Sequence, residues 1–201
     1  MEKRFANLLS YVTHPLLTPL LGLLVISNSG TYAADLDPRF SHFIYLAVFV
    51  LTFLLPVTLI PFLLYMDLAK TLHFHERKER LMPLYVTLVF YIAAYFLVKK
   101  LPISEVYQRY LFSASLSVLF VLVISYFWKI SSHLTGWGGL VGLIFSLSIR
   151  FDSDLMLFLI VSILITGLVG FARLRLGAHD TLQIYSGFLM GFLTMLIVFF
   201  I

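Results

Sequence analysis

The chain has no cysteine and little charge. Of its 201 residues only 12% are charged, with ten acidic residues against fourteen lysines and arginines. The absence of cysteine excludes disulfides, thiolate metal sites and cysteine nucleophiles. No polar stretch is long enough to fold as a separate soluble domain, and the net charge of +4 is spread over short loops. A nucleic-acid-binding protein needs a continuous basic surface, so we do not expect nucleic acid as a partner.

Apolar sequence is what the chain has in abundance. Hydrophobic residues make up 61% of it, and its mean hydropathy is +0.99. A soluble domain of this length could not bury so much apolar surface, so the composition indicates a polytopic membrane protein. A helix that crosses the bilayer core needs about 20 apolar residues. Seven candidate runs lie at 8–27, 43–66, 82–98, 107–128, 134–148, 155–171 and 181–201.

These runs predict the fold class: an all-α polytopic membrane helix bundle with six to seven transmembrane helices, forming one domain over residues 1–201. The first run follows a basic pair, as a secretory signal does, but it is long and we expect it to be retained. Pro56 and Pro61 should kink the second span. The fifth and sixth runs are short and close together, which predicts a tight helical hairpin.

Seven spans place alternate loops on the same side of the membrane. The N-terminus and the loops 67–81, 129–133 and 172–180 share one side, which we call the basic face. Three loops far apart in the sequence therefore deliver cationic and imidazole groups to one surface. The groups expected there are His73, His75, Arg77, Lys78, Arg80, Lys129, His133, Arg173, Arg175 and His179.

Such a surface suits phosphate chemistry. Fixed cations and N–H donors stabilise the charge on a transferring phosphoryl group best where water is excluded. Arginine pairs with phosphate through a planar fork and keeps its charge. Two histidines can complete the reaction without a metal, because a neutral imidazole can attack phosphorus while a protonated one donates to the leaving oxygen.

Two segments, KISSHLTG at 129–136 and ARLRLGAHDTLQ at 172–183, carry this chemistry in a recognisable order. They resemble the second and third motifs of the type 2 phosphatidic acid phosphatase and vanadium haloperoxidase superfamily. That family reads Lys-x6-Arg-Pro, then Pro-Ser-Gly-His, then Ser-Arg-x5-His-x3-Asp. In the second motif Ser131 and His133 match, while Ile130 and Ser132 replace the proline and the glycine.

In the third motif, Arg173 and His179 match at the family spacing. Ala172 replaces the serine, and Gln183 stands where the family has its aspartate. The first motif is represented by HERKERLMP at 75–83, in which Arg80 matches the arginine and no proline follows it directly. The resemblance covers about residues 70–191.

The resemblance implies an integral membrane phosphatase that acts on a lipid or isoprenoid phosphate through a phosphohistidine, with no metal and no other cofactor. His179 would be the nucleophile and His133 the general acid. Gln183 would orient His179 in place of the aspartate. Arg80, Ser131 and Arg173 would hold the phosphate oxygens, and Ser132 would contribute its backbone N–H, as the family glycine does. Lys129 and Arg77 have no counterpart in the motifs, and we expect them to assist the phosphate site as additional cations.

Other functions remain compatible with the residues. The main alternative is a catalytically inactive relative that binds lipid phosphates or serves as a membrane scaffold. A transporter is a weaker alternative, because it requires polar residues inside the spans and few are present there. A metal site at His73 and His75 is disfavoured because residues i and i+2 of a helix point apart. His14, His42 and His75 are interpreted as ordinary interfacial residues.

The expected partners are the membrane and the lipid or isoprenoid phosphate substrate, in a bacterial cytoplasmic membrane. The positive-inside rule favours a cytoplasmic basic face, whereas the family resemblance favours an external one. The side of the site and the oligomeric state are therefore left open.

Overall fold

The computed structural model describes residues 2–65 and 80–201. This part of the chain is helical and contains no strand. Seven of its helices are long and apolar enough to cross a membrane, which confirms the all-α transmembrane bundle. The seven spans are Glu2–Ser27, Pro38–Leu59, Leu81–Lys99, Glu105–Ser125, Ser132–Phe151, Met156–Arg175 and Thr181–Phe200.

The first span is broken near its middle. It consists of helix α1 (Glu2–Val12), a 3-10 turn (Pro15–Leu17) and helix α2 (Thr18–Ser27). Pro15 causes the break, because proline has no N–H for a helical hydrogen bond and its ring clashes with the carbonyl four residues earlier, whereas a proline such as Pro19 is tolerated in the first turn of a helix. Pro15 begins the 3-10 turn, and Pro19 lies in the first turn of α2. The break leaves the end of α1 at the basic face.

The second span is irregular immediately before Pro56, one of the two prolines expected to kink it, and α-helical through the other, Pro61. Helix α3 (Pro38–Phe49) passes through a π-helical stretch (Val50–Leu54) into helix α4 (Leu55–Tyr65). Pro56 cannot donate to the carbonyl four residues earlier, and a wider turn ahead of it accommodates the missing bond.

Five regular helices complete the described fold. They are α5 (Leu81–Lys99), α6 (Glu105–Ser125), α7 (Ser132–Phe151), α8 (Met156–Arg175) and α9 (Thr181–Phe200). Helices α7 and α8 have 20 residues each, so the prediction of short fifth and sixth spans was wrong. The predicted spans ended before charged residues, whereas the helices continue through them: α7 includes Arg150, and α8 includes Arg173 and Arg175. Arg150 lies in the last turn of α7, and its guanidinium donates to the Phe199 carbonyl at the end of α9.

Helices α7 and α9 pack with their backbones in close contact. A Cβ added to Gly142 of α7 would lie 2.8 Å from the Phe192 carbonyl oxygen, and one added to Gly187 of α9 would lie 2.7 Å from that of Ser131. Small residues permit such approach between membrane helices. Both helices run from the basic face, so their amino-terminal ends lie side by side.

Candidate active site

The first element of the site is this pair of helix N-termini. Ser131 caps α7, where its Oγ accepts from the Leu134 N–H at 3.5 Å. Asp180 caps α9, where its Oδ1 accepts from the Gln183 N–H at 2.8 Å. The Ser131 N–H in turn donates to the Gln183 carbonyl at 3.3 Å, which ties the two ends together. Unpaired first-turn N–H groups and the helix dipoles favour an anion here.

The spacing between Arg173 and His179 is explained by the way α8 ends. Gly177 adopts a φ of 63°, a left-handed conformation that suits glycine. The Ala178 N–H donates to the Arg173 carbonyl at 3.1 Å, and the Gly177 N–H donates to the Leu174 carbonyl at 2.9 Å. This is a Schellman termination. It reverses the chain and puts His179 directly before the cap of α9.

His179 is held by Gln183. Its Nδ1 lies 2.9 Å from Gln183 Oε1, and because an amide oxygen only accepts, Nδ1 carries the proton. Burial lowers the pKa of His179 to about 4; the Gln183 hydrogen bond raises it in part, and Arg173, Arg80 and Lys129 lower it further. The ring is therefore neutral near pH 7, with Nε2 unprotonated.

Arg80 links the start of α5 to the segment before α7. Its Nη1 donates to the Ile130 carbonyl at 2.9 Å and its Nη2 donates to Ser132 Oγ at 2.6 Å. Only 9% of the residue is exposed. Burial and the nearby Arg173 lower the pKa of Arg80 to about 10, which leaves the guanidinium charged at neutral pH. The Ser132 hydroxyl thus serves as a partner of Arg80.

Arg173 and Lys129 add two more cations. Arg173 Nη1 donates to Ser10 Oγ at 3.5 Å, while its buried Nε has no hydrogen-bond partner among the described residues. Burial, followed by the charges of Arg80 and Arg173, lowers the pKa of Lys129. Among the carboxylates of residues 2–65 and 80–201, none forms an ion pair with Arg80 or with Arg173. An anionic ligand is the natural complement of this cluster.

His133 faces the broken first span. Its Nε2 lies 3.3 Å from the Ser10 carbonyl oxygen, and its ring meets that of His14 edge-on, with centroids 5.6 Å apart. The sequence interpretation of His14 as an ordinary interfacial residue missed this contact, and Ser10 was not considered. A signal was available, since an ionisable residue inside an apolar span is a candidate functional residue by default.

The structure thus gathers eight of the predicted site residues at one end of the bundle. They are Arg80, Lys129, Ser131, Ser132, His133, Arg173, His179 and Gln183. The ninth, Arg77, lies outside the described residues, as do His73, His75 and Lys78. His42 is exposed on α3 near the opposite end. In the described part of the chain, no three His, Asp or Glu side chains are grouped so as to hold a metal ion.

No protein-family model, no curated protein and no solved structure matches the chain.

The assembled groups meet the requirements of phosphoryl transfer. His179 offers a neutral, oriented imidazole in the form that can act as a nucleophile. Arg80, Lys129 and Arg173 lie near enough for their positive charges to lower the pKa of His179, and such charges would stabilise a phosphoryl group at this ring. His133 provides a second imidazole, which interacts electrostatically with both His179 and Arg173. Cations and an oriented, neutral imidazole at one site are suited to binding a phosphate group and to nucleophilic attack on it.

Proposed function

We propose that this integral membrane protein is a phosphatase that hydrolyses a phosphomonoester or diphosphate on a lipid or isoprenoid through a phosphohistidine. One observation carries the proposal: His179, oriented by Gln183, lies among the cations Arg80, Lys129 and Arg173. The resemblance of 129–136 and 172–183 to the type 2 phosphatidic acid phosphatase motifs supports the same assignment. A bacterial cytoplasmic membrane is part of the proposal.

In the first step on a phosphomonoester, the Nε2 lone pair of His179 attacks phosphorus and the bond from phosphorus to the lipid oxygen breaks; a diphosphate would react in the same way at its terminal phosphorus and release the lipid monophosphate. The negative charge of the bound phosphate favours a protonated His133, and the departing oxygen takes this proton, so that the lipid leaves as an alcohol. The cations stabilise the charge on the phosphoryl oxygens during transfer. The products of this step are a phosphohistidine at His179, a neutral His133 and the lipid alcohol.

In the second step, water attacks the phosphohistidine and the phosphorus–nitrogen bond breaks. Neutral His133 takes a proton from the attacking water, which returns it to the imidazolium form. His179 regains its neutral ring, and inorganic phosphate leaves. Gln183 Oε1 holds Nδ1–H of His179 throughout, which keeps the ring oriented in both steps.

The position of the site at the end of membrane-spanning helices supports the proposal of a lipid substrate. Helices α7 and α9 start at the basic face and continue as apolar spans. A lipid diffusing in the bilayer can present its phosphate to these helix ends while its chains remain in the hydrocarbon layer. We therefore infer that the substrate reaches the site from the membrane.

The presence of Gln183 in place of the family aspartate favours a second candidate function, a catalytically inactive protein that binds lipid phosphates. Gln183 supplies the orienting hydrogen bond but not the negative charge of the family aspartate. In a serine-protease triad, replacing the orienting aspartate by asparagine lowers kcat about 10⁴-fold, in part through a tautomer error. A relative that had lost turnover would retain the cation cluster and serve as a lipid-phosphate binding protein or scaffold.

The deciding experiment measures phosphate release from a panel of lipid and isoprenoid phosphates by the purified protein. We compare the wild type with His179→Ala and with the control His42→Ala, whose side chain is exposed on α3. We expect His42→Ala to equal the wild type and His179→Ala to lose at least about 100-fold in rate. Lipid-phosphate binding without turnover by the wild type would refute the phosphatase and support the binding protein.

A further inference from the structure

We propose that the carboxyl-terminal end of α1 positions the general acid, with the Ser10 carbonyl holding Nε2–H of His133 so that Nδ1 exchanges the proton with the substrate. The inference rests on the proposed function, because it assigns a role within that reaction. It concerns the first span, outside the segments that resemble the phosphatase motifs. The residues involved lie more than a hundred positions apart in the sequence.

The Ser10 carbonyl is available because α1 stops early. In a continuing helix the His14 N–H would bond to Ser10, but here it donates to the Tyr11 carbonyl at 3.3 Å. Pro15 enforces the stop, since its ring would clash with the carbonyl of Tyr11 and it has no N–H to offer. The carbonyl of Ser10 instead meets His133 Nε2 at 3.3 Å. A carbonyl only accepts, so Nε2 is the donor.

A second bond fastens the same end of α1. Trp137 Nε1 donates to the Thr13 carbonyl at 3.0 Å. His133 and Trp137 are four residues apart and therefore share one face of α7. Two donors on that face thus bind two carbonyls at the end of α1, which satisfies groups that a helix terminus leaves without partners. The end of α1 and the start of α7 are held as one unit.

His14 restrains the plane of the His133 ring. The two rings meet at 70° with their centroids 5.6 Å apart. His14 is itself fixed by the turn that it caps, where its Nδ1 accepts from the Leu16 N–H at 3.3 Å. The His133 ring is therefore held at one nitrogen by Ser10 and in its plane by His14.

This arrangement decides which nitrogen does the chemistry. With Nε2–H donated to Ser10, neutral His133 has its lone pair on Nδ1. Protonation then adds the transferable proton at Nδ1, and the Nε2 hydrogen bond is unchanged. In the second step Nδ1 accepts the proton of the attacking water.

Nitrogen-15 NMR of histidine-labelled protein tests the positioning without any need for activity. The His133 signals are assigned by their loss in His133→Gln. We expect the neutral His133 ring to carry its proton on Nε2 in the wild type. Finding the proton on Nδ1 would overturn the proposal, whatever the protein hydrolyses.

A leaving-group comparison tests the role in the reaction. An aryl phosphate with a weakly basic leaving oxygen does not need a general acid, whereas an alkyl lipid phosphate does. We measure kcat/KM, which covers only the steps through phosphohistidine formation if that formation is irreversible. His133→Gln serves as the reference, and it should lose far more activity on the alkyl substrate than on p-nitrophenyl phosphate, because general acids contribute about 10²–10⁴-fold.

The test variant is Pro15→Ala, which lets α1 continue so that the His14 N–H competes for the Ser10 carbonyl. Its matched control is Pro19→Ala, a proline in the first turn of α2, where the missing N–H has no helical partner. We expect Pro15→Ala to lose about tenfold or more in kcat/KM on the alkyl substrate and less than about threefold on the aryl one. Pro19→Ala should change neither by more than about twofold.

Equal loss on both substrates, or no loss on either, would overturn the positioning role. Trp137→Phe is the second variant if Pro15→Ala does not fold, since it keeps an aromatic ring and removes only the donor to Thr13. It should show the same selective loss. A wild type that hydrolyses neither substrate refutes the proposed function, and the NMR result alone then decides the positioning.

Discussion

Gln183 Oε1 lies 2.9 Å from Nδ1 of His179, four residues earlier in the chain. The contact reproduces the geometry by which a carboxylate orients a catalytic histidine, using a neutral amide. It keeps the tautomer that leaves Nε2 free to attack and lacks the charge that would support an imidazolium. The effect of this exchange can be measured directly.

Gln183→Leu should lower kcat by about 10–100-fold, because an imidazole without its partner reorients and loses attack geometry. Gln183→Asp should match or exceed the wild type, since a carboxylate restores both the hydrogen bond and the charge. The measurement is turnover of one lipid phosphate by the three proteins. Equal and clearly nonzero rates for the wild type and Gln183→Leu would remove Gln183 from the mechanism while leaving the phosphatase intact.

The titration of His179 provides a second prediction. Its pKa is lowered to about 4, so the ring should stay neutral until the pH falls towards that value. Gln183→Leu should lower the midpoint further, because the hydrogen bond raises the pKa. Added inorganic phosphate should raise it, since a bound anion favours the imidazolium. NMR of the ring nitrogens follows all three changes, and a midpoint near 6.5 in the free protein would contradict the buried, cation-rich site.

Arg80 should be more sensitive than its hydroxyl partner. Arg80→Lys loses the fork that reaches Ile130 and Ser132 together and should lower kcat/KM by about 100-fold, because lysine does not replace a guanidinium at such a site. Ser132→Ala leaves the Ile130 bond in place and should cost only about threefold. Both are measured on the best lipid phosphate. Equal losses would show that the Ser132 hydroxyl has a role beyond holding Arg80.

The close contact between α7 and α9 predicts a selective packing defect. Gly187→Ala would place a methyl group 2.7 Å from the Ser131 carbonyl oxygen, whereas Gly167→Ala on α8 meets nothing within 4 Å. Overpacking of this kind costs about 1–3 kcal/mol. Gly187→Ala should therefore lower Tm and activity together, since Ser131 belongs to the site, while Gly167→Ala should leave both near wild type. The measurement is the Tm of each variant from thermal unfolding in detergent. Equal Tm values for the two variants would contradict the close contact between α7 and α9.

Activity should survive chelation of divalent cations. The proposed nucleophile is an imidazole, and the charge around it comes from Arg80, Lys129 and Arg173. Phosphate release in excess EDTA should equal that of the untreated protein, with an alkaline phosphatase as the chelation control. Loss of activity that magnesium or zinc restores would assign the protein to a metal-dependent class.

The sequence alone determined the features that depend on near neighbours in the chain. Hydropathy over about 20 residues locates a span because each helix satisfies its own backbone in lipid. The relative position of Arg173 and His179 is determined by the way α8 ends, because the hydrogen bonds of that helix end set the path of the chain between them. His179 and Gln183 lie one helical turn apart, so their side chains can meet. Spacing carries this information because the local backbone geometry is nearly invariant.

The tertiary structure alone decided which distant groups share the site. Ser10 and His14 meet His133 only because a proline break in the first span packs against the start of α7. Arg80 bonds to Ile130 across fifty residues. Such contacts depend on how whole helices pack, and an individual residue's neighbours in sequence do not specify that packing. The same residues at the same spacing would be ordinary interfacial histidines and arginines in a bundle that packed differently.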